Sequence, residues 1–146
     1  MSFALVLPRR PPSGNKPPNR KFQDALREKA TAGFGAGPQL VGDLFTRITW
    51  FHSKKTTQDV DNIAKNIHDA LKGIRFGDDV QIVQCLTCKI DAAREFVIVD
   101  HTVPAGIFDE LYSLLADGSD HILCIDVGPT TSSRVVFGPI DGGFSL

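Results

Sequence analysis

Residues 60–72 carry the clearest periodic signal in the chain. Val60, Ile63, Ile67, Ala70 and Leu71 recur at helical spacing, and such a stripe must bury itself against another layer. Asp61, Lys65, His68 and Lys72 share a roughly opposite face, and Gly73 supplies a stop. Segments of strand period flank this helix. In residues 40–51, Leu44, Thr46, Ile48 and Trp50 face one way and Phe45, Arg47, Thr49 and Phe51 the other. In residues 79–91, Val80, Ile82, Gln84, Leu86, Cys88 and Ile90 share one side.

The remaining elements follow from turn and cap chemistry. A short apolar run over residues 3–7 ends at Pro8 and predicts a strand. Residues 8–19, rich in Pro, Gly and Asn, predict a loop. Asn19 can cap a helix to about Thr31, with Phe22, Ala25, Leu26 and Ala30 inward, before Gly33, Gly35, Gly37 and Pro38 break it. A strand over 94–100 would form an antiparallel hairpin with 79–91 across Asp91-Ala92-Ala93. Pro104 opens a helix to about Ala116 that buries Ile107, Phe108, Leu111, Leu114 and Leu115. Short strands are expected over 121–127 and 134–137, and a Gly-rich tail over 141–146. The order of elements predicts an α+β fold, a mixed and largely antiparallel sheet with helices packed on one face. The reading divides the chain into a core over 1–100 and an acidic extension over 101–146, packed on the same domain.

Length and composition narrow the class. A chain of 146 residues, 42% hydrophobic and 23% charged, is one globular domain, neither disordered nor fibrous. No apolar run reaches the ~20 residues of a membrane span, and the N-terminus lacks a signal-peptide core. Three cysteines do not make a disulfide framework, so a reduced, cytoplasmic protein is expected. The net charge of −1 hides a division. Residues 1–90 hold 14 Lys and Arg against 8 Asp and Glu, whereas residues 91–146 hold 2 against 9. Either a polyanion partner for the first part or two oppositely charged faces of one domain would account for it.

Acidic residues then concentrate around the central helix. Asp59 and Asp61 lie two apart at its entry, and Asp78-Asp79 precede the next strand. A helix of about 12 residues travels roughly 18 Å. About seven extended residues span roughly 23 Å back. Asp79 is therefore expected beside Asp59 and Asp61. Three converging carboxylates repel unless a cation neutralises them, and hard oxygen donors suit Mg²⁺ or Mn²⁺. The same residues also have ordinary uses: Asp59 as N-cap, Asp61 at the positive end of a helix, Asp78-Asp79 in a turn. An EF-hand loop is excluded by Ile63, Ala64 and Ala70, and an aspartyl-nucleophile motif by Ile63 and the polar residues 54–58.

Asp59-Val60-Asp61-Asn62, Lys65, Asp69-Ala70-Leu71 and Asp78-Asp79-Val80-Gln81 together resemble the signature of the RusA family of Holliday-junction resolvases, approximately DxDNxxKxxxDAL followed by DDxQV, with Ile82 in place of the final Val. Leu7-Pro8, Pro11-Pro12-Ser13 and Asn15 resemble the family's LPxPPSxN loop, with Arg9-Arg10 longer by one residue. The resemblance covers about residues 3–100. It implies a metal-dependent endonuclease acting on four-way DNA junctions in recombination and repair, by phosphodiester hydrolysis to 5′-phosphate and 3′-hydroxyl ends, as a homodimer. It implies that Asp59, Asp61 and Asp79 bind Mg²⁺ (or Mn²⁺), that Asp78 assists or shapes the turn, and that Lys65 acts on the scissile phosphate; an ion pair of Lys65 with Asp61 is the plainer alternative.

DNA contacts are expected from Arg9, Arg10, Lys16, Arg20, Lys21, Lys54 and Lys55, with Phe76 as a candidate wedge. Two features depart from the family. Ser53-Lys54-Lys55-Thr56-Thr57-Gln58 stands where the family carries an arginine cluster, and the acidic residues 101–146 extend beyond its core. A catalytically weak or inactive DNA-binding or assembly protein of the same fold is therefore the alternative. Cys85 and Cys88, three apart on a strand, point to opposite faces and cannot share a zinc ion. They read as buried structural cysteines, and His68 as a surface histidine.

Overall fold

The computed structural model describes residues 3–13, 17, 19–34, 37–94 and 105–130. The strands expected over 94–100 and 134–137, the tail and Lys16 lie outside these residues, apart from Arg94, which sits in a turn. Among the described residues four strands, β1 (Phe3–Leu7), β2 (Leu44–His52), β3 (Ile82–Asp91) and β4 (His121–Pro129), combine with three helices, α1 (Arg20–Phe34), α2 (Ala64–Leu71) and α3 (Ala105–Ala116). The sheet order is β1-β4-β2-β3. β4 pairs antiparallel with β1 and β2, and β2 pairs parallel with β3. The fold is α+β with a mixed sheet, as the sequence predicts. The segment that reads as an extension supplies a central strand.

The parallel pair follows from its connection. Residues 53–81 carry α2 between β2 and β3, and a helical crossover returns the chain to the end of the sheet where it began. Leu44 pairs with Ile82 and His52 with Asp91, so the two strands start at one end and finish at the other.

The helices divide between the two faces of the sheet. Leu5, Leu7, Ile48, Trp50, Leu123, Ile125 and Val127 pack with Phe22, Leu26, Ile63, Ile67 and Leu71 from α1 and α2. Val6, Phe51 and Ile122 pack instead with Leu111, Ile107, Leu114 and Leu115 of α3. The helices are therefore not confined to one face, as the sequence reading has them: α1 and α2 share one face and α3 takes the other. The reason is legible in β1 and β4: consecutive residues are apolar, so both faces need cover.

Local differences have local causes. The side-chain oxygen of Asn19 accepts from the Phe22 N–H at 3.1 Å, starting α1 as expected. The helix runs three residues further, through Gly33, whose cost of about 1 kcal/mol does not outweigh the packing of the preceding turn. The periodic segment 60–72 splits into a 3-10 turn over Val60–Asn62 and the helix α2. Val60 leaves the apolar stripe and is exposed, whereas Ile63 and Ile67 are fully buried. Gly73 adopts φ +87°, which suits glycine, and ends the segment. A second 3-10 turn, Asp79–Gln81, precedes β3. Phe76 is fully buried in the α1–α2 core, so it is core rather than a wedge for DNA. Among the described residues no helix is long and apolar enough to cross a membrane.

Candidate active site

The chain leaves β2 at His52 and turns through residues 53–58 before entering the Asp59–Asn62 segment. Gln58 is the hub of this turn. Its side-chain NH₂ donates to the Pro11 carbonyl at 2.9 Å, and its backbone carbonyl accepts from Lys89 Nζ at 3.0 Å. Arg10 donates to Gln58 Oε1 and to Thr56 Oγ1, each at 3.4 Å. The buried Asn66 of α2 donates to the Pro12 carbonyl at 3.5 Å. The Pro-rich loop after β1 is thus pinned against the start of α2, with Arg10 and Lys89 beside the aspartates.

Asp59 occupies an N-cap position in extended conformation (φ −71°, ψ 141°), but its side chain makes no capping hydrogen bond. Its carboxylate and that of Asp61 are exposed. A residue placed to cap a helix and not capping it leaves its oxygens available to a cation or a hydrogen-bond donor. Lys65 projects from the first turn of α2 and pairs forward with Asp69 at 3.3 Å, instead of back with Asp61.

Asp79 lies elsewhere. It opens the 3-10 turn at the start of β3, the end of the sheet opposite to where β2 hands over to Asp59. Lys89, which touches Gln58, is ten positions further along. Seven strand steps and three 3-10 steps separate the two ends by roughly 29 Å. The return of Asp79 beside Asp59 and Asp61 does not occur within one chain. The connecting segment is long enough, but the parallel pairing of β3 with β2 fixes its landing point at the far end. Among the described residues no group of three or more His, Cys, Asp or Glu side chains is placed to hold a metal ion.

Asp78 does the capping that Asp59 does not. Its side chain accepts from the Val80 N–H at 3.3 Å and pairs with Lys72 at 3.5 Å. A hydrogen bond shared with Asp79, the Val80 N–H and the Lys72 charge hold its carboxyl below the usual range. Gln81 completes the capping box by accepting from the Gly77 and Asp78 N–H groups. Its amide also donates to the Leu40 and Gly42 carbonyls at 3.1 Å. Asp78 therefore shapes the turn that presents Asp79.

The basic residues also divide. Arg10 reaches the Asp59 end directly. Arg20 and Lys21 are exposed at the start of α1. That helix start and Arg10 border one groove of about 410 Å³, lined by Arg10, Pro12, Ser13, Asn19 and Gln58 among others. Arg9 and Lys55 are exposed, whereas Lys54 pairs with Asp120 at 3.4 Å. Lys29 pairs with Glu110 at 2.6 Å and Arg47 with Asp126 at 2.8 Å. Part of the charge division is thus internal complementarity between the two parts of the chain. Sequence reasoning missed Gln58, Asn66 and Lys89. Lys89 carried a signal, since it shares strand parity with Cys85 and Thr87 on the α2 side of β3; the other two depend on the folded loop.

Comparison with known proteins gives this geometry a class. Residues 18–100 match the family model of endodeoxyribonuclease RusA, more than half of the chain. The chain belongs to the RusA endodeoxyribonuclease family, and membership implies Holliday-junction endonuclease activity. The match begins at residue 18, beyond Pro11 and Pro12, which Gln58 and Asn66 hold. No curated protein matches the chain.

Proposed function

We propose that the protein resolves four-way DNA junctions as a homodimer that depends on Mg²⁺ or Mn²⁺, leaving 5′-phosphate and 3′-hydroxyl ends in recombination and repair in the cytoplasm. The observation that carries this reading is the exposed, non-capping Asp59 carboxylate with Asp61, set among Arg10, Lys65 and Lys89. Asp59 and Asp61 offer the hard oxygen donors such an ion prefers, but two carboxylates are an incomplete cage.

The missing carboxylate has a source in a second copy. Among the described residues β3 has a neighbouring strand on one side only, and Val80, Val83 and Leu86 along it are exposed. Two such edges related by a two-fold pair antiparallel. An axis near Gln84 and Cys85 sets residue 79 of one chain opposite about residue 90 of the other, where strands lie roughly 5 Å apart. The start of one β3 then meets the end of the other, and Asp79 of each chain joins Asp59 and Asp61 of its partner. A two-fold enzyme with two such sites suits a two-fold junction.

A bound ion would lower the pKa of its water and neutralise charge on the phosphoryl oxygens. The chain's own residues do the rest. Lys65, with an exposed ammonium, stabilises charge developing on the scissile phosphate. Arg10, Arg20 and Lys21 hold flanking phosphates along the groove, and Arg9, Lys16 and Lys55 add long-range attraction.

A second reading rests on one observation. Lys54 stands where the family carries arginines, and it is paired with Asp120. A protein that binds junctions without cutting them would tolerate that weakening. Incubating wild-type protein and Asp61→Asn with a labelled four-way junction and a matched duplex, in Mg²⁺ and in Mn²⁺, decides. Paired symmetric nicks on the junction, absent in the variant, support resolution. Binding without nicks in either metal refutes catalysis.

A further inference from the structure

β3 carries a cluster that the nuclease reading does not use. His68 Nε2 lies 2.8 Å from the hydroxyl of Thr46, itself buried, and 3.9 Å from Cys85 Sγ. Thr87 Oγ1 is 3.4 Å from the same sulfur. An imidazole fixed by a buried hydroxyl, and a second hydroxyl two residues along the strand, thus surround one exposed thiol. The sequence reads Cys85 as buried and His68 as a surface residue; the structure instead pairs them.

The three cysteines are set apart by their surroundings. Burial pushes the Cys85 thiol up, but hydrogen bonds with His68, Thr46 and Thr87 together outweigh it and bring the value down to about 7. Cys124 is pushed up to about 12 by burial and by the charges of Asp126 and Glu110. Cys88 is exposed on β3, with strand parity opposite to Cys85.

We propose that Cys85, activated by His68, is a site of thiol modification by low-molecular-weight disulfides of the glutathione type. In the reaction the Cys85 thiolate attacks one sulfur of the disulfide. A new S–S bond forms, the old one breaks, and its electron pair leaves on the small thiolate, so no other oxidant is required. The side chain stands out of the sheet plane, and strand pairing along β3 uses backbone groups. The step uses neither DNA nor metal, but Cys85 lies near the two-fold axis proposed above, so the adduct would stand beside the paired β3 edges.

At pH 7 a thiol lowered from 9.0 to about 7 is half ionised rather than about 1% ionised. That roughly fiftyfold gain is cut by reduced nucleophilicity to about five- to eightfold. The test follows the full chain with an aromatic disulfide reagent, reading the released thiolate by absorbance at pH 7. Glutathione disulfide and peptide mass mapping locate the adduct. Cys85 should react about fivefold faster than Cys88, with Cys88→Ser leaving the fast phase and Cys85→Ser abolishing it. His68→Asn should slow the Cys85 phase; should that variant fail to fold, Thr87→Val, at a partly exposed position, should slow the same phase. First reaction at Cys88, or a fast phase unchanged in the folded His68 or Thr87 variant, overturns the proposal. Because no DNA or metal enters the assay, its failure leaves the nuclease reading untouched.

Discussion

Mixing two single-site variants decides whether the acids of one chain work with those of its partner. Asp61→Asn and Asp79→Asn are purified separately, combined in equal amounts and left to exchange subunits. Random reassortment makes half of the dimers mixed. The two acids lie toward opposite ends of β3, whose path from Asp79 to Lys89 is roughly 29 Å. If Asp79 serves the partner's Asp59–Asp61 pair, each mixed dimer holds one site with both lesions and one site with neither. One intact site in half of the dimers amounts to about a quarter of the wild-type sites. If every site lies within one chain, every site carries a lesion and the mixture stays as inactive as its parts. The assay is the initial rate of nicking on an end-labelled four-way junction, with differently tagged subunits to verify exchange. The products carry a second signature, since a mixed dimer can nick only one strand of each junction. A verified exchange with no recovered nicking refutes the shared site.

Three further outcomes follow from the same geometry. Ile67→Ala should cost about 2–5 kcal/mol, because this side chain is fully buried between α1, α2 and the sheet; a urea midpoint unchanged from wild type would contradict that packing. Arg10→Ala should weaken junction binding similarly across sequences and lower the salt slope of log K by about 1, and a sequence-selective loss would instead make Arg10 a base reader. Burial, aided by the charge of Arg10, lowers the His121 pKa from its ordinary 6.5, and the Trp50 indole N–H donates to His121 Nδ1 at 3.3 Å. A histidine with a lowered folded value contributes stability that is whole above 6.5 and is lost as pH falls below it. The melting temperature, followed by Trp50 fluorescence, should therefore drop from pH 7 to 5.5, and less steeply in His121→Gln; an equal slope would reject the assignment.

Most elements were legible because their signals are local. The Asn19 cap, the Ile63–Ile67–Leu71 stripe and the alternation of residues 44–51 each act within a turn or a few residues. Pairing was not legible. Nothing in the pattern of β4 says that it enters between β1 and β2, because that choice is made by distant residues. The same holds for the site. Motif spacing identified Asp59, Asp61, Lys65 and Asp79 as candidates. It could not place Asp79, since chain length allowed the return and only the parallel register of β3 directs it elsewhere. Phe76 was misread because a lone aromatic beside a motif has no local mark of burial. Gln58 was passed over because its role depends on a loop that arrives from 47 residues away.

The position of β4 has a consequence for synthesis. Phe3 pairs with Val127, and β2 also borders β4. At 5–20 residues per second, β1 waits roughly 6–25 s on the ribosome for the strand that will hold it. In that interval the apolar face of α1 and α2 has only part of its sheet. A newly made chain that stalls near residue 100 holds nearly all of the family segment and both acidic ends, yet lacks the strand between β1 and β2. The resolvase signature is complete well before the protein can fold, so a nascent or truncated chain is exposed to chaperones and proteases while it already carries every candidate catalytic residue.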